Sequence, residues 1–245
     1  MNVALNNNRA GGAFSGGPPR EPSGGKKMRQ DPLRIDFYGR DFLVTKDVLI
    51  PRPESEMIID AVLNLAGKPY LPGVRPSENK LPKHPKILDI GTGSGCLAIT
   101  LKLELPKAEV SALDISEKAL KVAEKNADNL GAKVYPLIIS DLLENVKFTP
   151  DNTPDVIVAN LPYVDKTWDW LKLDLKKEPE LALFAEDGGL YLIKKLIRNL
   201  ENIKIKYLIL EADPCQHEEI KKYALNFNLE HVETRNFILV FTHKN

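Results

Sequence analysis

From residue 86 onward the chain alternates short apolar runs with stretches of helical periodicity, and this constrains its fold more than any other feature. Lys86–Ile90 (KILDI) predicts a strand, Ser94–Glu104 a helix, and Glu109–Ile115 (EVSALDI) a second strand. Ser116–Leu130 predicts a second helix, with Ser116 as N-cap, Ala119, Leu120, Ala123, Ala127 and Leu130 as its apolar stripe, and Gly131 as its stop. Lys133–Ser140 and Asp155–Asn160 (DVIVAN) predict a third and a fourth strand, Gly188–Asn202 a helix, Lys206–Glu211 (KYLILE) a fifth strand and Pro214–Leu225 a helix. Residues 231–243 predict two adjacent strands, the second over Phe237–Thr242. Strands alternating with helices imply an α/β fold with a mostly parallel sheet and right-handed crossovers, and the terminal pair implies an antiparallel end.

Upstream, residues 33–50 alternate apolar and polar around Tyr38-Gly39-Arg40, which predicts a β-hairpin turning at Gly39. Pro53, followed by Glu54 and Glu56, suits the first turn of a helix, and Met57, Ile58, Ala61, Val62 and Leu65 carry it over about 54–66. Residues 67–85 hold five prolines and predict a loop ahead of the α/β region at 86–245. Residues 1–30 hold six glycines, three prolines and four asparagines, with five basic residues against one acid. They offer too little apolar surface to offset ordering entropy, and so predict a disordered, mildly basic tail. That tail is either a solvated leader or an arm that touches RNA or an acidic partner.

Charge narrows the functional classes. The 245 residues carry 34 basic and 34 acidic side chains, and removing the tail leaves a body with a net charge of −4. RNA binding usually needs a basic surface, so any RNA contact is expected to be indirect or through the tail. Two cysteines, Cys96 and Cys215, exclude a disulfide framework and a cysteine-based zinc cluster, and the four scattered histidines suggest no metal site. The sequence has no apolar run long enough to span a membrane and no secretory h-region, so a cytoplasmic protein is the expectation, with a monomer favoured.

Two segments carry the chemistry. Gly91-Thr92-Gly93-Ser94-Gly95 follows the first strand of the α/β region and opens a helix, where exposed N–H groups favour an anionic group. Asp114 ends the next strand, nineteen residues after Gly95, where an acid can bind ribose hydroxyls. Together they predict a nucleoside-bearing ligand; the alternative is a glycine turn that only packs helix on sheet. The G-x-G-x-G spacing, with Cys96 next, departs from that of the dinucleotide enzymes, and Cys96 reads as a small buried residue, not a nucleophile. The second segment is Asn160-Leu161-Pro162-Tyr163, at the carboxyl end of the fourth strand and so in the same crevice. Asn offers an acceptor and a donor, Pro stiffens the turn, and Tyr offers a flat ring, a set that can grip a planar amide or an exocyclic amine. An ordinary strand-ending turn is the alternative. Residues 164–178, with Trp168 and Trp170, are either a flap over the substrate or a helix packed on the sheet edge.

With these residues in view, the chain resembles the S-adenosylmethionine-dependent glutamine methyltransferases of peptide-chain release factors (the PrmC/HemK type). The resemblance runs over about residues 36–243 and rests on VLIPRPESE at 48–56, ILDIGTGSGCLAITL at 87–101, ALDIS at 112–116, SDLL at 140–143, VANLPYV at 158–164 and EPELALFAEDGGL at 178–190. It implies a Rossmann-like class I methyltransferase fold, a seven-stranded, mostly parallel sheet with an antiparallel last strand. It also implies residue roles. Gly91, Thr92, Gly93, Ser94 and Gly95 would cradle the methionine part of S-adenosylmethionine, Asp114 would bind the ribose, and Asp141 and Leu142 would flank the adenine. Asn160 and Tyr163 would hold the substrate glutamine, with Leu161 and Pro162 completing the catalytic turn and Arg52 and Glu54 bordering the pocket.

The implied activity is N5-methylation of the glutamine in the Gly-Gly-Gln motif of a release factor, the implied partner. Two departures from the family pattern bear on this. Leu161 replaces the usual first proline of Asn-Pro-Pro-Tyr, which brings the turn close to that of rRNA adenine dimethyltransferases. The family's helical N-terminal domain has no counterpart ahead of the hairpin, where a 30-residue polar tail stands; either the tail and other surfaces replace its grip, or the substrate differs. The competing functions are therefore N-methylation of RNA adenine or of a ribosomal-protein glutamine, and, in another class, a non-catalytic cofactor-binding module.

Overall fold

The computed structural model describes residues 32–68, 81–168 and 178–244. The tail expected over 1–30, the stretch 69–80 of the proline-rich loop, and 169–177 of the expected flap, including Trp170, lie outside the described residues.

The chain opens with a hairpin of β1 (Leu33–Phe37) and β2 (Arg40–Val44). Its two-residue turn places Tyr38 and Gly39 at φ 54° and 70°, the positive angles that match the twist of paired strands. A 3₁₀ turn over Pro53–Ser55 leads into α1 (Glu56–Leu65), with Pro53 in the first turn as its missing N–H favours. Then follow β3 (Lys86–Ile90), α2 (Cys96–Glu104), β4 (Glu109–Asp114), α3 (Glu117–Leu130), β5 (Leu137–Ile139) and β6 (Val156–Ala159). The chain continues with α4 (Tyr191–Asn199), β7 (Tyr207–Glu211), α5 (His217–Leu225), β8 (Leu229–Arg235) and β9 (Ile238–His243).

Seven strands form one sheet in the order β5-β4-β3-β6-β7-β9-β8. The pairs from β5 to β7 are parallel, and β9 lies antiparallel to both β7 and β8. Alternation of side chains along the buried strands feeds two cores. Ile87, Val156, Val158 and Ile209 point to the face covered by α1, α2 and Ala127 of α3. Leu88, Ile90, Ile157 and Leu208 point to the face covered by α4 and α5. Both faces are buried, which is why these strands are almost wholly apolar.

Several expected elements are shorter than their apolar patterns, among them β6, α1 and α5, the two helices each beginning after a 3₁₀ turn. The helix expected from Ser94 starts at Cys96, because Gly95 sits at φ 81°. The helix expected over 188–202 is α4, which starts after Gly188 and Gly189 at φ 65° and 84° and ends at Asn199. The strand expected over 133–140 is regular only over Leu137–Ile139, although the Pro136 C=O and the Tyr135 N–H still bond to Ala112 and Val110 of β4. By contrast, α3 has the expected caps: the Ser116 hydroxyl accepts the Ala119 N–H at 3.2 Å, and Gly131 turns left-handed at φ 69°.

One buried side chain ties the hairpin to the body. The Asn126 amide on α3 accepts the Leu43 N–H at 2.8 Å and donates to the C=O of Leu43 and of Ser94 at 2.9 and 2.8 Å. β2, α3 and the glycine turn thus meet at one residue. Asn126→Ala leaves three backbone groups unpaired and is expected to cost about 3 kcal/mol. Urea unfolding at unchanged m-value measures this; a loss below ~1 kcal/mol would mean that water replaces the amide.

Candidate active site

Strand register builds the site. Leu113 pairs with Ile90, Ile90 with Ala159 and Ala159 with Leu210, so these four residues form one row across β4, β3, β6 and β7. The next residue on each strand is Asp114, Gly91, Asn160 and Glu211. A single step past that row thus brings two acids, an amide and the first glycine of the turn to the carboxyl edge of the sheet, where open α/β sheets bind ligands.

The glycine turn is held from beneath. The N–H groups of Gly91 and Thr92 both donate to the Leu113 C=O at 2.9 Å. Buried Asp89 accepts the Thr92 hydroxyl at 2.6 Å and the Ala98 N–H at 3.2 Å through Oδ2, while its Oδ1 has no partner. Burial, with a smaller push from Asp114, raises the Asp89 carboxyl to about 7 against those two hydrogen bonds. Asp114 accepts the Gly93 N–H through Oδ2 and the Ser116 N–H through Oδ1, each at 2.8 Å, and burial raises its pKa as well. Gly95 has another role: a Cβ there would stand 2.8 Å from Ile99 Cδ1 and 3.0 Å from Ala123 Cβ, so its missing side chain lets α2 pack on α3. Burial pushes the Cys96 thiol up to about 12, and it stays protonated.

The turn after β6 is gripped from two sides. Asn160 Nδ2 donates to the Ser55 hydroxyl at 2.8 Å, and the Tyr163 hydroxyl donates to Glu211 Oε1 at 3.1 Å. Gln216 Nε2 donates to the C=O of Tyr163 and of Gly188 at 2.8 and 2.7 Å. A Cβ on Gly189 would fall 1.9 Å from the Tyr163 C=O, so that position admits only glycine. Glu211 is buried, and its Oε2 has no partner. Burial lifts its carboxyl to about 7, and the nearby Ser55 hydroxyl, the Tyr163 hydroxyl and the Asn160 amide oppose this by favouring the charged form. Burial first, then the Glu211 charge, drives the Tyr163 phenol well above its ordinary range.

A third tie crosses the rim. Arg52 Nη2 donates to Glu178 Oε1 at 2.6 Å, and the Ile50 N–H donates to Oε2 of the same carboxylate at 3.1 Å. With only 16% and 8% of the two side chains exposed, this ion pair is screened less than a surface one. It joins the PRPESE and EPELALF segments.

The cavity between these parts has a volume of about 320 Å³. Arg52, Gly91, Thr92, Gly93, Ser94, Asp114, Asp141, Leu142, Asn160, Leu161 and Pro162 line it, together with Ser55 and apolar Ile115 and Leu181. Gly95, Glu54 and Tyr163 are not among the residues that line it. Asp141 is paired with Lys195 at 2.7 Å. Sequence reasoning missed Ser55, Asp89, Glu178, Glu211 and Gln216. The available signal was an acid inside or at the end of an apolar strand, as in KILDI and YLILE. No group of three or more His, Cys, Asp or Glu among the described residues is placed to hold a metal ion, and no described helix is long and apolar enough to cross a membrane.

The sheet order and the glycine turn define a class I methyltransferase, and a family model described as "Methyltransferase domain" matches residues 81–234. The ribosomal protein L11 methylase of Lactobacillus delbrueckii subsp. bulgaricus shares the fold, with a TM-score of 0.53 at 22% identity over 80% of this chain and 83% of its own. A release factor glutamine methyltransferase of Koribacter versatilis is 44% identical over 66% of this chain and 52% of its own length. One from Bacillus cereus is 36% identical over 80% of this chain and 67% of its own. This chain belongs to the release factor glutamine methyltransferase family. It spans about half to two thirds of the length of those relatives.

The raised carboxyls make stability pH-dependent. Asp89 and Glu211 bind a proton more tightly folded than unfolded, as Asp114 also does, so through Asp89 and Glu211 rising pH costs stability from about 4 to about 7. Asp89→Asn removes one of these groups, and a flatter fall in unfolding free energy over that range is expected. Urea titrations at several pH values test this, and an unchanged slope would exclude Asp89 as a contributor.

Proposed function

We propose that this chain methylates the side-chain amide nitrogen of the glutamine in the Gly-Gly-Gln motif of a peptide-chain release factor, using S-adenosylmethionine. The observation that carries the proposal is the commitment of Asn160 Nδ2 to Ser55 in the cavity wall, which leaves Oδ1 as a hydrogen-bond acceptor. An amide N–H is what such an acceptor recognises.

The residues present fit the cofactor. The Asp114 carboxylate at the end of β4 can accept ribose hydroxyls while keeping its bonds to Gly93 and Ser116. Ile115 and Leu142 offer apolar walls to a planar base, and the cavity lies within the roughly 300–1,000 Å³ of small-molecule sites. S-adenosylmethionine supplies an already activated sulfonium methyl, so the protein's share of catalysis is mainly alignment. An amide nitrogen is a weak nucleophile because its lone pair is delocalised. Asn160 Oδ1 and the Leu161 C=O, accepting its two N–H groups, fix the nitrogen and stabilise positive charge developing on it. The Leu161 contribution is a backbone carbonyl, which leucine supplies as proline would. Tyr163, its hydroxyl tied to Glu211, stiffens the turn that presents Asn160 and Leu161, while Arg52 borders the pocket. The extra proton leaves to water after transfer.

Purified protein with S-adenosylmethionine, given unmodified release factor and separately total rRNA, tests the reading by mass spectrometry. One methyl on the Gly-Gly-Gln glutamine with unchanged RNA is expected. Methylated adenine with an unmodified peptide would overturn the proposal in favour of RNA, the substrate class suggested by Asn-Leu-Pro-Tyr. Asn160→Ala is expected to abolish transfer and to change cofactor affinity by less than about tenfold, under ~1.4 kcal/mol. Normal transfer by that variant would refute the amide grip.

A further inference from the structure

We infer that Glu211 is a positioning residue for this site: acting through the Ser55 hydroxyl, it fixes which end of the Asn160 side-chain amide faces the cavity. The inference rests on the proposed methyl transfer for its kinetic consequence alone; the orientation itself is a property of the folded chain.

The geometry begins with strand register. Ala159 and Leu210 are partners on β6 and β7, so Asn160 and Glu211 leave the sheet side by side. Ser55, at the end of the 3₁₀ turn before α1, is buried and lines the cavity next to them. Asn160 Nδ2 donates to the Ser55 oxygen at 2.8 Å. A hydroxyl that accepts there keeps its own proton to donate elsewhere. The hydroxyl and the Asn160 amide both act on the Glu211 carboxylate and both favour its charged form. Glu211 Oε1 accepts a hydrogen bond from the Tyr163 hydroxyl, while the equally buried Oε2 has no partner.

An ionised carboxylate only accepts. It therefore draws the Ser55 proton toward itself and turns the Ser55 lone pairs to Asn160. A lone pair there selects the NH₂ end of the amide, and Oδ1 points away, toward the place a substrate N–H would occupy. Protonate Glu211, or make it a glutamine, and a donor enters the pocket. Ser55 can then accept from residue 211 and donate to Asn160, which selects the opposite flip. The flipped amide would meet a substrate NH₂ donor to donor.

The groups facing Glu211 set its titration. Glu54, in the same 3₁₀ turn as Ser55, raises it by charge. Tyr163 and Asn160, from the turn after β6, lower it, as does Ser55. Asp213, just past β7, and Glu54 both act on the Tyr163 phenol, and Cys96 at the start of α2 feels the Glu211 charge as a neutral thiol. Burial dominates, and the carboxyl titrates near 7, so the orientation of Asn160 switches across that pH.

The full chain, free of cofactor and isotopically labelled, gives the first measurement. The side-chain NH₂ resonances of Asn160, assigned by their loss in Asn160→Ala, are followed from about pH 6 to about pH 8.5. They are expected to shift with a midpoint near 7 in the wild type, and to show no such step in Glu211→Gln or Ser55→Ala. Ser55→Thr, which keeps the hydroxyl, is expected to restore the step. In transfer to release factor above pH 8, Glu211→Gln is expected to lose about 100-fold in kcat, with cofactor affinity within about threefold. Its kcat is also expected to lose the wild type's rise with pH. Asn160 resonances that do not titrate in the wild type, or a Glu211→Gln enzyme with wild-type kcat and pH profile, would overturn the inference. Wild-type protein that leaves the release factor unmodified would overturn the functional proposal instead, and the resonance titration would still decide this one. If Glu211→Gln failed to fold, the wild-type and Ser55 titrations would decide it alone.

Discussion

Parallel pairing of β4, β3, β6 and β7 in level register puts Asp114, Gly91, Asn160 and Glu211 one step past a common row of apolar residues. Hydrogen bonds between backbones fix that row, and the two cores hold the strands in it by burying Ile87, Val156 and Val158 on one side and Leu88, Ile90 and Ile157 on the other. A slip of one residue in any of these strands would exchange its two faces and also move its functional side chain out of line. The packing of the core and the alignment of the site are therefore the same constraint.

Three acids sit where the sheet gives way to the crevice, and each is held above its ordinary pKa by burial. Their environments divide the work. Asp114 is partly open and satisfied by two backbone N–H groups, so it can take further hydroxyls from a ligand. Asp89 is closed off and spends one oxygen on the glycine turn and α2. Glu211 is closed off too, but it faces the residues of the turn after β6. Neither Asp89 nor Glu211 is fully satisfied, the condition that the rest of the fold must offset.

Much of this was legible in the sequence because periodicity and turn chemistry are local. The alternation of strands and helices, the hairpin at Tyr38-Gly39, the Ser116 and Gly131 caps and the paired terminal strands all follow from short-range patterns. The misses have physical causes. Gly95, Gly188 and Gly189 adopt left-handed angles that end a helical pattern whatever the apolar spacing suggests. β5 is regular over three residues only, a length that β-propensity alone overstates. The glycine turn, Asp114 and Asn160 announce themselves by position at strand ends. Ser55 and Glu178 do not, and the strand-end position of Glu211 leaves its partners unstated, since only the tertiary structure brings Asn160 to Ser55, Tyr163 to Glu211 and Arg52 to Glu178. Gly95 and Tyr163 look alike with their neighbours in sequence, yet do not line the cavity: one packs helices and the other turns to Glu211.

The hairpin has a consequence of its own. Asn126 clamps β2 to the glycine turn, and the segment that follows β2 supplies Lys46, Asp47, Val48 and Leu49 to the cavity wall. The segment leaving the amino-terminal strands is thus a side of the vessel and not an ornament on it. A small molecule that touches both this segment and the glycine turn adds its binding free energy to the adhesion between them. Docking of that segment and affinity for such a ligand are then linked, and the coupling free energy between them is the same in both directions.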